Sequence, residues 1–369
     1  FLVVRCSPIF EYSEFALSLV TVVGMITAIF AASVALVQND IKKIIAYSTC
    51  SQLGYMFFAA GVGAYHVAIF HLFTHAFFKA LLFLGSGSVI HAFKDEQDIT
   101  KMGGVWKKLP YTYVLMVIGT LALTGFPFLS GFYSKDAIIE FAFFKHSIIG
   151  NSAAFIGIFT AFLTAIYSWR LLFKTFHGTY NNKQIDFEKT HESPFVMLLP
   201  LIILAAGSIF AGYYFKEMLI GDESKEFWQN SIFFLKEIYH DEIPIWLLLI
   251  TPMLVVLAIP ISYYFFIKNT KILETLKTSY KKVYNFLLNK WYIDEIYDYI
   301  FVNPLKKLGL IFWKKGDQGT IDRFGPDGIS KLIKSISNKT VQFQTGYLYD
   351  YAFVMLIGLS VLITYLILK

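Results

Sequence analysis

Apolar residues recur along most of the chain in runs long enough to cross a membrane, separated by short polar stretches. A spanning helix needs about 20 predominantly apolar residues. The pattern therefore predicts an all-α polytopic membrane protein with eight apolar runs, at approximately 14–37, 43–62, 64–93, 110–145, 149–173, 194–215, 244–267 and 348–368. Residues 1–13 contain one further short apolar run, which we interpret as the tail of a truncated membrane helix.

The fourth run is too long for one straight span and contains Gly125, Pro127 and Gly131. Proline lacks the backbone N–H that a helix needs and clashes with the preceding turn. We therefore predict an unwound break over 124–131 that joins two half-helices. Irregular backbone of this kind is tolerated at membrane depth only where it is buried in protein or lines a cavity.

Composition and charge support the membrane class. Hydrophobic residues make up 56% of the 369 residues and charged residues only 16%, against about 25% charged in a typical soluble domain. Of the 32 Lys and Arg residues, 24 fall in four connections that share one side of the predicted topology: 38–43, 94–109, 170–192 and 268–346. The positive-inside rule places that side in the cytoplasm or matrix. The connection 216–243 on the opposite side carries seven acidic residues.

Residues 270–346 are more charged than the rest, but apolar residues recur in them at helical spacing. The pattern predicts an amphipathic arm, with Gly316, Gly319, Gly325 and Pro326 breaking it into at least two pieces. Its apolar positions are Leu273, Leu276, Tyr280, Val283, Tyr284 and Leu287, followed by Ile296, Tyr299, Ile300 and Phe301. Two interpretations stay open, an interfacial helix that touches only lipid and a lateral brace on neighbouring subunits.

Motifs for soluble redox or nucleotide chemistry are missing from the sequence. Cys6 and Cys50 are its only cysteines, and it has no CxxC pair and no Walker loop, so an iron–sulfur cluster or zinc ribbon cannot be assembled from it. The composition also argues against a nucleic-acid-binding protein.

Three ionisable residues lie inside the third run. His71, His75 and Lys79 are spaced at i, i+4 and i+8, which places them on one stripe of a helix at steps of about 6 Å. We expect them within hydrogen-bonding or one-water reach of each other. A charged lysine at mid-helix costs about 2.5–3.5 kcal/mol to insert, so it should face protein or water. The stripe indicates proton transfer; packing histidines and, less favoured, a zinc site without HExxH are the alternatives.

Two further groups of polar residues are candidates. Lys135 and Asp136 follow the predicted break, and we expect Asp136 in the first turn of the second half-helix, with water or a carboxylate beside Lys135. A cavity is favoured here over a lysine that extends to the membrane interface. Asp40, Ser51 and Gln52 belong to a polar seam between the first two spans, either lining water or joining helices.

Five segments carry a resemblance: ALVQNDIKKIIAYSTCSQLGYMF, IFHLFTHAFFKALLFLGSGSVIH, LTGFPFLSGFYSKDAII, KWYIDEIYDYIFVNPLKK and QTGYLYDYAFVMLIG. The chain resembles the L-subunit family of NADH:quinone oxidoreductase, respiratory complex I. The resemblance maps the central lysine of the family onto Lys79, its relay histidines onto His71 and His75, and its broken-helix pair onto Lys135 and Asp136. Asp40 matches a family aspartate near the cytoplasmic side.

The resemblance also implies an organisation: a helix tail over 1–13, the second antiporter-like five-helix repeat over 14–173, two further spans over 174–269, a lateral amphipathic arm over 270–346 and an anchor over 347–369. It implies a proton-translocating subunit that couples NADH-to-quinone electron transfer in partner chains to proton pumping. NADH, FMN, iron–sulfur clusters and quinone are expected in partner subunits, with none in this chain. The expected partners are the antiporter-like M- and N-type subunits, along the arm, and the lipid bilayer.

The expected location is the bacterial inner membrane, ahead of the mitochondrial inner membrane. The alternatives are a subunit of a multisubunit cation/proton antiporter and a purely structural clamp.

Overall fold

The computed structural model describes residues 1–181, 187, 190–235 and 243–369. Parts of the charged connections predicted at 170–192 and 216–243 lie outside the described residues. Within the described ranges the chain is helical, and the β-type pairing is the isolated bridge between Asp40 and Asp98. The chain divides into two units, 1–291 and 292–369.

The first unit begins with two single-turn helices, followed by the helices of the membrane bundle. Their bounds are α1 Leu2–Arg5, α2 Ser7–Phe10, α3 Glu14–Val37, α4 Ile41–Gly61, α5 Tyr65–Ala92, α6 Pro110–Thr124, α7 Ser130–Phe144, α8 Ile148–Phe176, α9 Phe195–Ile220, α10 Ser224–Trp228, α11 Ile245–Tyr263, α12 Thr270–Ser279 and α13 Lys281–Leu288. Short 3₁₀ turns lie at Ile99–Lys101, Val105–Lys107 and Lys290–Tyr292.

The second unit contains the rest of the arm and the last apolar helix. Its α-helices are α14 Ile293–Tyr297, α15 Asn303–Ile311, α16 Pro326–Val341 and α17 Leu348–Leu368, with π-helical stretches at Asp298–Val302 and Phe312–Asp322.

Each of the eight predicted apolar runs is helical. Six helices of the described chain are long and apolar enough to cross a membrane: Glu14–Val37, Tyr65–Ala92, Ile148–Phe176, Phe195–Ile220, Ile245–Lys268 and Leu348–Leu368. The helix Ile41–Gly61 is more polar because it carries the predicted seam, and the fourth run is divided into two shorter helices. The prediction of an all-helical membrane protein is confirmed.

The predicted break is present and spans 125–129. Gly125 adopts φ +82° and ends α6, donating its N–H to Ala122 O, while Phe126 donates to Leu121 O. This left-handed C-terminal geometry favours glycine because glycine has no Cβ. α9 holds the start of α7 in place, since Ser130 Oγ donates to Gly207 O at 2.9 Å and accepts from Gly212 N at 2.8 Å. The break thus lies between a buried Gly125 and a buried Ser130, while Phe128 within it is exposed.

The first part of the arm packs on its own chain. Gln38 Nε2 donates to Leu288 O at 3.4 Å, and Trp291 Nε1 donates to Ser33 Oγ at 3.2 Å. The Trp291 ring also meets Phe30 edge to face, with centroids 5.3 Å apart. Residues 270–291 thus contact α3 and its C-terminal loop, a third arrangement besides the lipid and neighbouring-subunit interpretations.

The predicted breaks in the arm are partly wrong. Gly316 and Gly319 lie inside the π-helical stretch Phe312–Asp322 and do not end it, because glycine in a helix costs only about 1 kcal/mol. Gly325, with φ −88° and ψ −115°, does interrupt the helix before Pro326. An unpredicted break lies at Lys290–Tyr292, where three consecutive residues have positive φ.

The close approach of the two half-helices can be tested by substituting alanine for Gly131. A Cβ at this position would overlap the carbonyl oxygen of Ala122, so we expect Gly131→Ala to lower the free energy of unfolding by about 1–3 kcal/mol. Gly87→Ala is the matched control, because nothing lies within 4 Å of a Cβ there and alanine should stabilise the helix by about 1 kcal/mol. Equal stability of the two variants in thermal unfolding would contradict the close approach.

Candidate functional site

The centre of the site is the buried stripe on α5. His71 is 0% exposed, His75 5% and Lys79 4%. The stripe faces polar side chains supplied by α4, α7 and α8, which compensate for the loss of water around these three residues. Burial of ionisable groups among apolar helices is costly unless such partners are provided.

Lys79 is held by the hydroxyl group of Ser48, which is itself bonded to a second hydroxyl. Its Nζ donates to Ser48 Oγ at 2.5 Å, and Ser48 Oγ lies 2.7 Å from the hydroxyl of Tyr167 on α8. A cavity of about 10 Å³ adjoins them, and Thr120 and Ser168 add hydroxyl groups to its lining. This volume is at the lower limit for one water molecule. The ammonium group therefore starts a chain of exchangeable protons.

Tyr167 was not predicted as a site residue. Its position inside a predicted span was the only available signal, and tyrosine is common in membrane helices for packing. Ser48 lies on α4 in the same polar seam as Ser51 and Gln52, and nothing in the sequence distinguishes it from its polar neighbours.

His71 bonds at both ring nitrogens. Nδ1 lies 2.9 Å from Ser134 Oγ on α7, and Nε2 lies 3.0 Å from Gln52 Oε1 on α4. An amide oxygen only accepts, so Nε2–H donates to Gln52 Oε1, and in a neutral ring Nδ1 then accepts the Ser134 hydroxyl. Ser134 Oγ also lies 2.7 Å from Thr74 Oγ1, which extends the network along α5.

His75 lies between the other two groups of the stripe without bonding to either within the described structure. Its ring centroid is 6.0 Å from that of His71, and its Nε2 has no hydrogen-bond partner among the described residues. The 6.0 Å spacing agrees with the one-water separation expected from the sequence. Because both nitrogens of His71 are engaged by neutral partners, the geometry does not favour a metal site here, and no cluster of three or more His, Cys, Asp or Glu occurs in the described ranges.

Lys135 is fully buried, so it does not extend to the interface. Its Nζ donates to Thr124 O at 3.3 Å and lies 5.7 Å from the Tyr55 ring centroid. Thr124 is the last residue of α6, where carbonyls lack intrahelical partners and the helix dipole favours a cation. The stabilising partner is thus the C-terminus of the first half-helix. Of the two partners expected for Lys135, water or a carboxylate, no carboxylate forms an ion pair with it among the described residues.

Asp136 lies one turn further into α7 than predicted. The helix begins at Ser130 and has no acidic residue in its first turn, because the break ends before residue 130. Both Asp136 carboxylate oxygens are buried without a hydrogen-bond partner among the described residues. A carboxylate in that condition is costly, which singles this residue out as a candidate for proton uptake.

Asp136 also lines a cleft of about 550 Å³. Glu140, Glu217, Asp222 and Lys216 lie along the same cleft. Four carboxylates against one ammonium give it an acidic lining. The cleft opens beside residues 216–222, at the start of the connection that the charge count places opposite the positive side. Glu140 was missed because it follows Asp136 by one helical turn in an apolar run and looked isolated.

Asp40 and Ser51 lie apart from this network. Asp40 Oδ1 accepts from Lys43 N at 3.0 Å and caps the N-terminus of α4. Ser51 Oγ donates to Ala28 O at 2.9 Å and joins α4 to α3. Of the three seam residues predicted as polar or water-lining, only Gln52 reaches the α5 stripe.

Outside the spans, Glu96 orders the connection after α5. Its Oε1 accepts from Asp98 N and Gln97 N at 3.0 Å each, and Lys101 Nζ donates to Oε2 at 2.9 Å. The backbone N–H of Asp98, followed by Lys101, lowers the pKa of the Glu96 carboxyl. The same connection pairs with the loop before α4, where Ile99 N donates to Asn39 O at 2.9 Å.

Comparison with known proteins identifies two family models that together span the chain. Residues 1–164 match the model described as NADH:quinone oxidoreductase/Mrp antiporter, TM, and residues 167–368 match NADH dehydrogenase subunit 5 C-terminus. The chain is 45% identical to NADH-ubiquinone oxidoreductase chain 5 of Marchantia polymorpha, covering 99% of this chain and 56% of that protein. It is 45% identical to NADH-quinone oxidoreductase subunit L of Rickettsia bellii, covering 100% of this chain and 57% of that protein.

The chain thus spans somewhat more than half the length of these relatives. Among solved structures, it resembles a chain of the Mrp complex from Dietzia sp., with a TM-score of 0.60 and 19% identity over 100% of this chain and 36% of the other. That similarity concerns the fold alone.

The hydroxyl link from α4 to α8 predicts a measurable stability effect. Tyr167→Phe removes one of the two hydroxyls near Lys79, and we expect the free energy of unfolding to fall by about 1 kcal/mol. Tyr213→Phe is the matched control, because Tyr213 is 72% exposed. Thermal unfolding of both variants in the same detergent tests this, and an unchanged Tyr167→Phe variant would contradict the link.

Proposed function

The chain belongs to the family of NADH-quinone oxidoreductase subunit L and NADH-ubiquinone oxidoreductase chain 5, and from this premise we propose that it translocates protons as a membrane subunit of that enzyme. The observation that carries the proposal is the set of buried ionisable groups on α5 and α7, with hydroxyl and amide side chains bonded to two of them, Lys79 and His71. Buried ionisable residues in membrane helices commonly mark proton pathways.

On the Lys79 side, the proposed path begins at the Tyr167 and Ser48 hydroxyls and reaches the ammonium group through the hydrogen bonds described above. It continues past His75 to His71, whose ring centroids lie 6.0 Å apart, a gap that one water can bridge. Each hydroxyl both donates and accepts, so a proton can be passed on by reorienting these groups.

On the other side, His71 connects through Ser134 to α7, the helix that also carries Lys135 and Asp136. Asp136 lines the acidic cleft together with Glu140, which gives the buried path a route to the face near residues 216–222. Lys135, held by the C-terminus of α6, places a positive charge next to Asp136 along α7.

The redox chemistry is proposed to reside in partner chains. Cys6 and Cys50 lie on α1–α2 and α4, as free thiols rather than a paired set, and they cannot ligate a cluster between them. NADH, FMN, iron–sulfur clusters and quinone would thus be bound by other subunits. We propose the M- and N-type membrane subunits as the neighbours along the arm, and the bacterial inner membrane as the location.

A cation/proton antiporter is the second candidate, because the model matched by residues 1–164 also describes Mrp antiporters. Its distinguishing property would be exchange of Na⁺ or K⁺ without NADH. Purified complex in liposomes separates the two, since acidification driven by NADH and insensitive to Na⁺ supports our proposal. The match of residues 167–368 to a subunit 5 model favours the oxidoreductase.

The proposed role of Lys79 predicts a loss of proton pumping when this residue is replaced. In the complete subunit within the assembled enzyme, Lys79→Ala should lower NADH-driven proton uptake into membrane vesicles by about tenfold or more, as removal of a proton-transfer group does. Ser86→Ala is the control, since Ser86 is buried on the same helix and bonds only to Phe83 O. Pumping at wild-type stoichiometry in an assembled Lys79→Ala enzyme would exclude the role.

The position of Asp136 in the cleft predicts that two substitutions there will differ in their effect on proton uptake. Asp136→Asn keeps the shape of the side chain but removes the exchangeable carboxyl proton, so proton uptake should fall by about tenfold or more. Asp222→Asn makes the same change in the same cleft, at a residue beyond the end of α9, and should leave uptake near wild type. Equal rates of proton uptake in the two variants would contradict a role for Asp136 in the proton path.

A further inference from the structure

A groove lies between the bundle and the first part of the arm. It encloses about 480 Å³ and is bordered by α8, α11 with the turn after it, the end of α3, and helices α12 and α13. We call it the arm groove. All of its lining residues belong to the first unit of the chain.

The walls of the arm groove are mainly apolar. Twelve of the eighteen residues that line it are aliphatic or Phe. The apolar positions predicted for the start of the arm face this groove, among them Leu273, Leu276, Val283 and Leu287. They therefore line a groove within the chain, whose volume of about 480 Å³ leaves room for a hydrocarbon chain.

Three of the six polar residues that line the groove are basic, and the other three carry hydroxyl groups. Arg170, Lys174 and Lys277 line it, and none of the lining residues that the structure describes carries a carboxylate. Lys174 lies within electrostatic reach of both other cations. Asp98 interacts electrostatically with Arg170 and Lys174, yet it forms no ion pair within 4 Å with either of them or with Lys277 in the described chain.

Arg170 is fixed in place and 5% exposed. Its Nη1 donates to Gln38 O at 2.5 Å and its Nη2 to Asn39 Oδ1 at 2.6 Å. These bonds place the basic end of the groove at the level of the loop 38–43, on the side with the excess of Lys and Arg. That level corresponds to the lipid headgroups.

The length of the groove agrees with a lipid. Phe162 lines it twelve residues before Lys174 on α8, a distance of about 18 Å along the helix axis. Half of a bilayer's hydrocarbon core is about 15 Å. A phosphate among the basic residues would thus place its acyl chain along the apolar wall towards Phe162.

We propose that the arm groove is a binding site for one anionic phospholipid, with the phosphate held by Lys174 and Lys277 beside Arg170 and an acyl chain lying between α8 and α12–α13. The lipid supplies the negative charge that the described lining lacks, and it fills the space between the arm and the bundle. The inference is independent of the proton path, because none of these residues contributes to it.

The test uses the purified assembled protein, stripped of lipid by detergent exchange and titrated with dioleoyl phosphatidylglycerol or dioleoyl phosphatidylcholine under native mass spectrometry. We expect saturable binding of phosphatidylglycerol in preference to phosphatidylcholine. Lys277→Gln should weaken phosphatidylglycerol binding by about fivefold, the effect of one basic residue near an anionic headgroup. Lys277 is exposed, so the substitution spares the core.

Lys281→Gln is the matched control, because it removes the same charge from the same part of the arm at a residue outside the groove lining. It should bind phosphatidylglycerol like wild type. Val283→Trp, which narrows the groove without changing charge, should also reduce binding, and an unchanged melting temperature of each variant confirms its fold.

Three results would overturn the proposal: equal binding of the two lipids, equal loss in the Lys277→Gln and Lys281→Gln variants, or full displacement of phosphatidylglycerol by millimolar inorganic phosphate. The last would indicate a site for free anions, with no contribution from the acyl chain.

Discussion

Ionisable side chains within apolar helices must receive their polar partners from neighbouring helices, and the first unit is organised around this requirement. Lys79 is the clearest case, because its ammonium group is buried on α5 and its partners come from α4 and α8. A charge left alone at this depth would be costly. The hydroxyls that solvate it fix the spacing of three helices at once, and the same groups provide exchangeable protons.

The broken helix provides the polar partner that Lys135 needs. A continuous helix would have used the carbonyl of Thr124 in its own hydrogen-bond ladder. The break leaves that carbonyl free at the C-terminus of α6, and Lys135 on α7 turns back to bond with it. α9 then covers the break through Ser130. Interrupting the helix therefore creates the partner that allows a buried lysine at this position.

Asp136, unlike Lys135, has no polar partner for its charged group. Its carboxylate oxygens have no hydrogen-bond donor among the described residues, and the cleft beside it carries further acids. The two neighbours in the sequence thus differ because adjacent helical residues point about 100° apart. One faces the end of α6 and the other faces the cleft. A pair of this kind can hold a proton at one residue and release it at the next, as the proposed function needs.

The sequence by itself determined the helical class, the positions of the apolar runs, the break in the fourth run and the stripe of His71, His75 and Lys79. These follow from local rules, since run length, proline and the helical repeat act within one segment. It did not determine which hydroxyl reaches Lys79, that Lys135 bonds to α6, that Gly316 and Gly319 are accommodated in a helix, or that the arm begins against its own bundle. Those outcomes depend on which side chains from distant segments meet, and only the packing of the helices decides that.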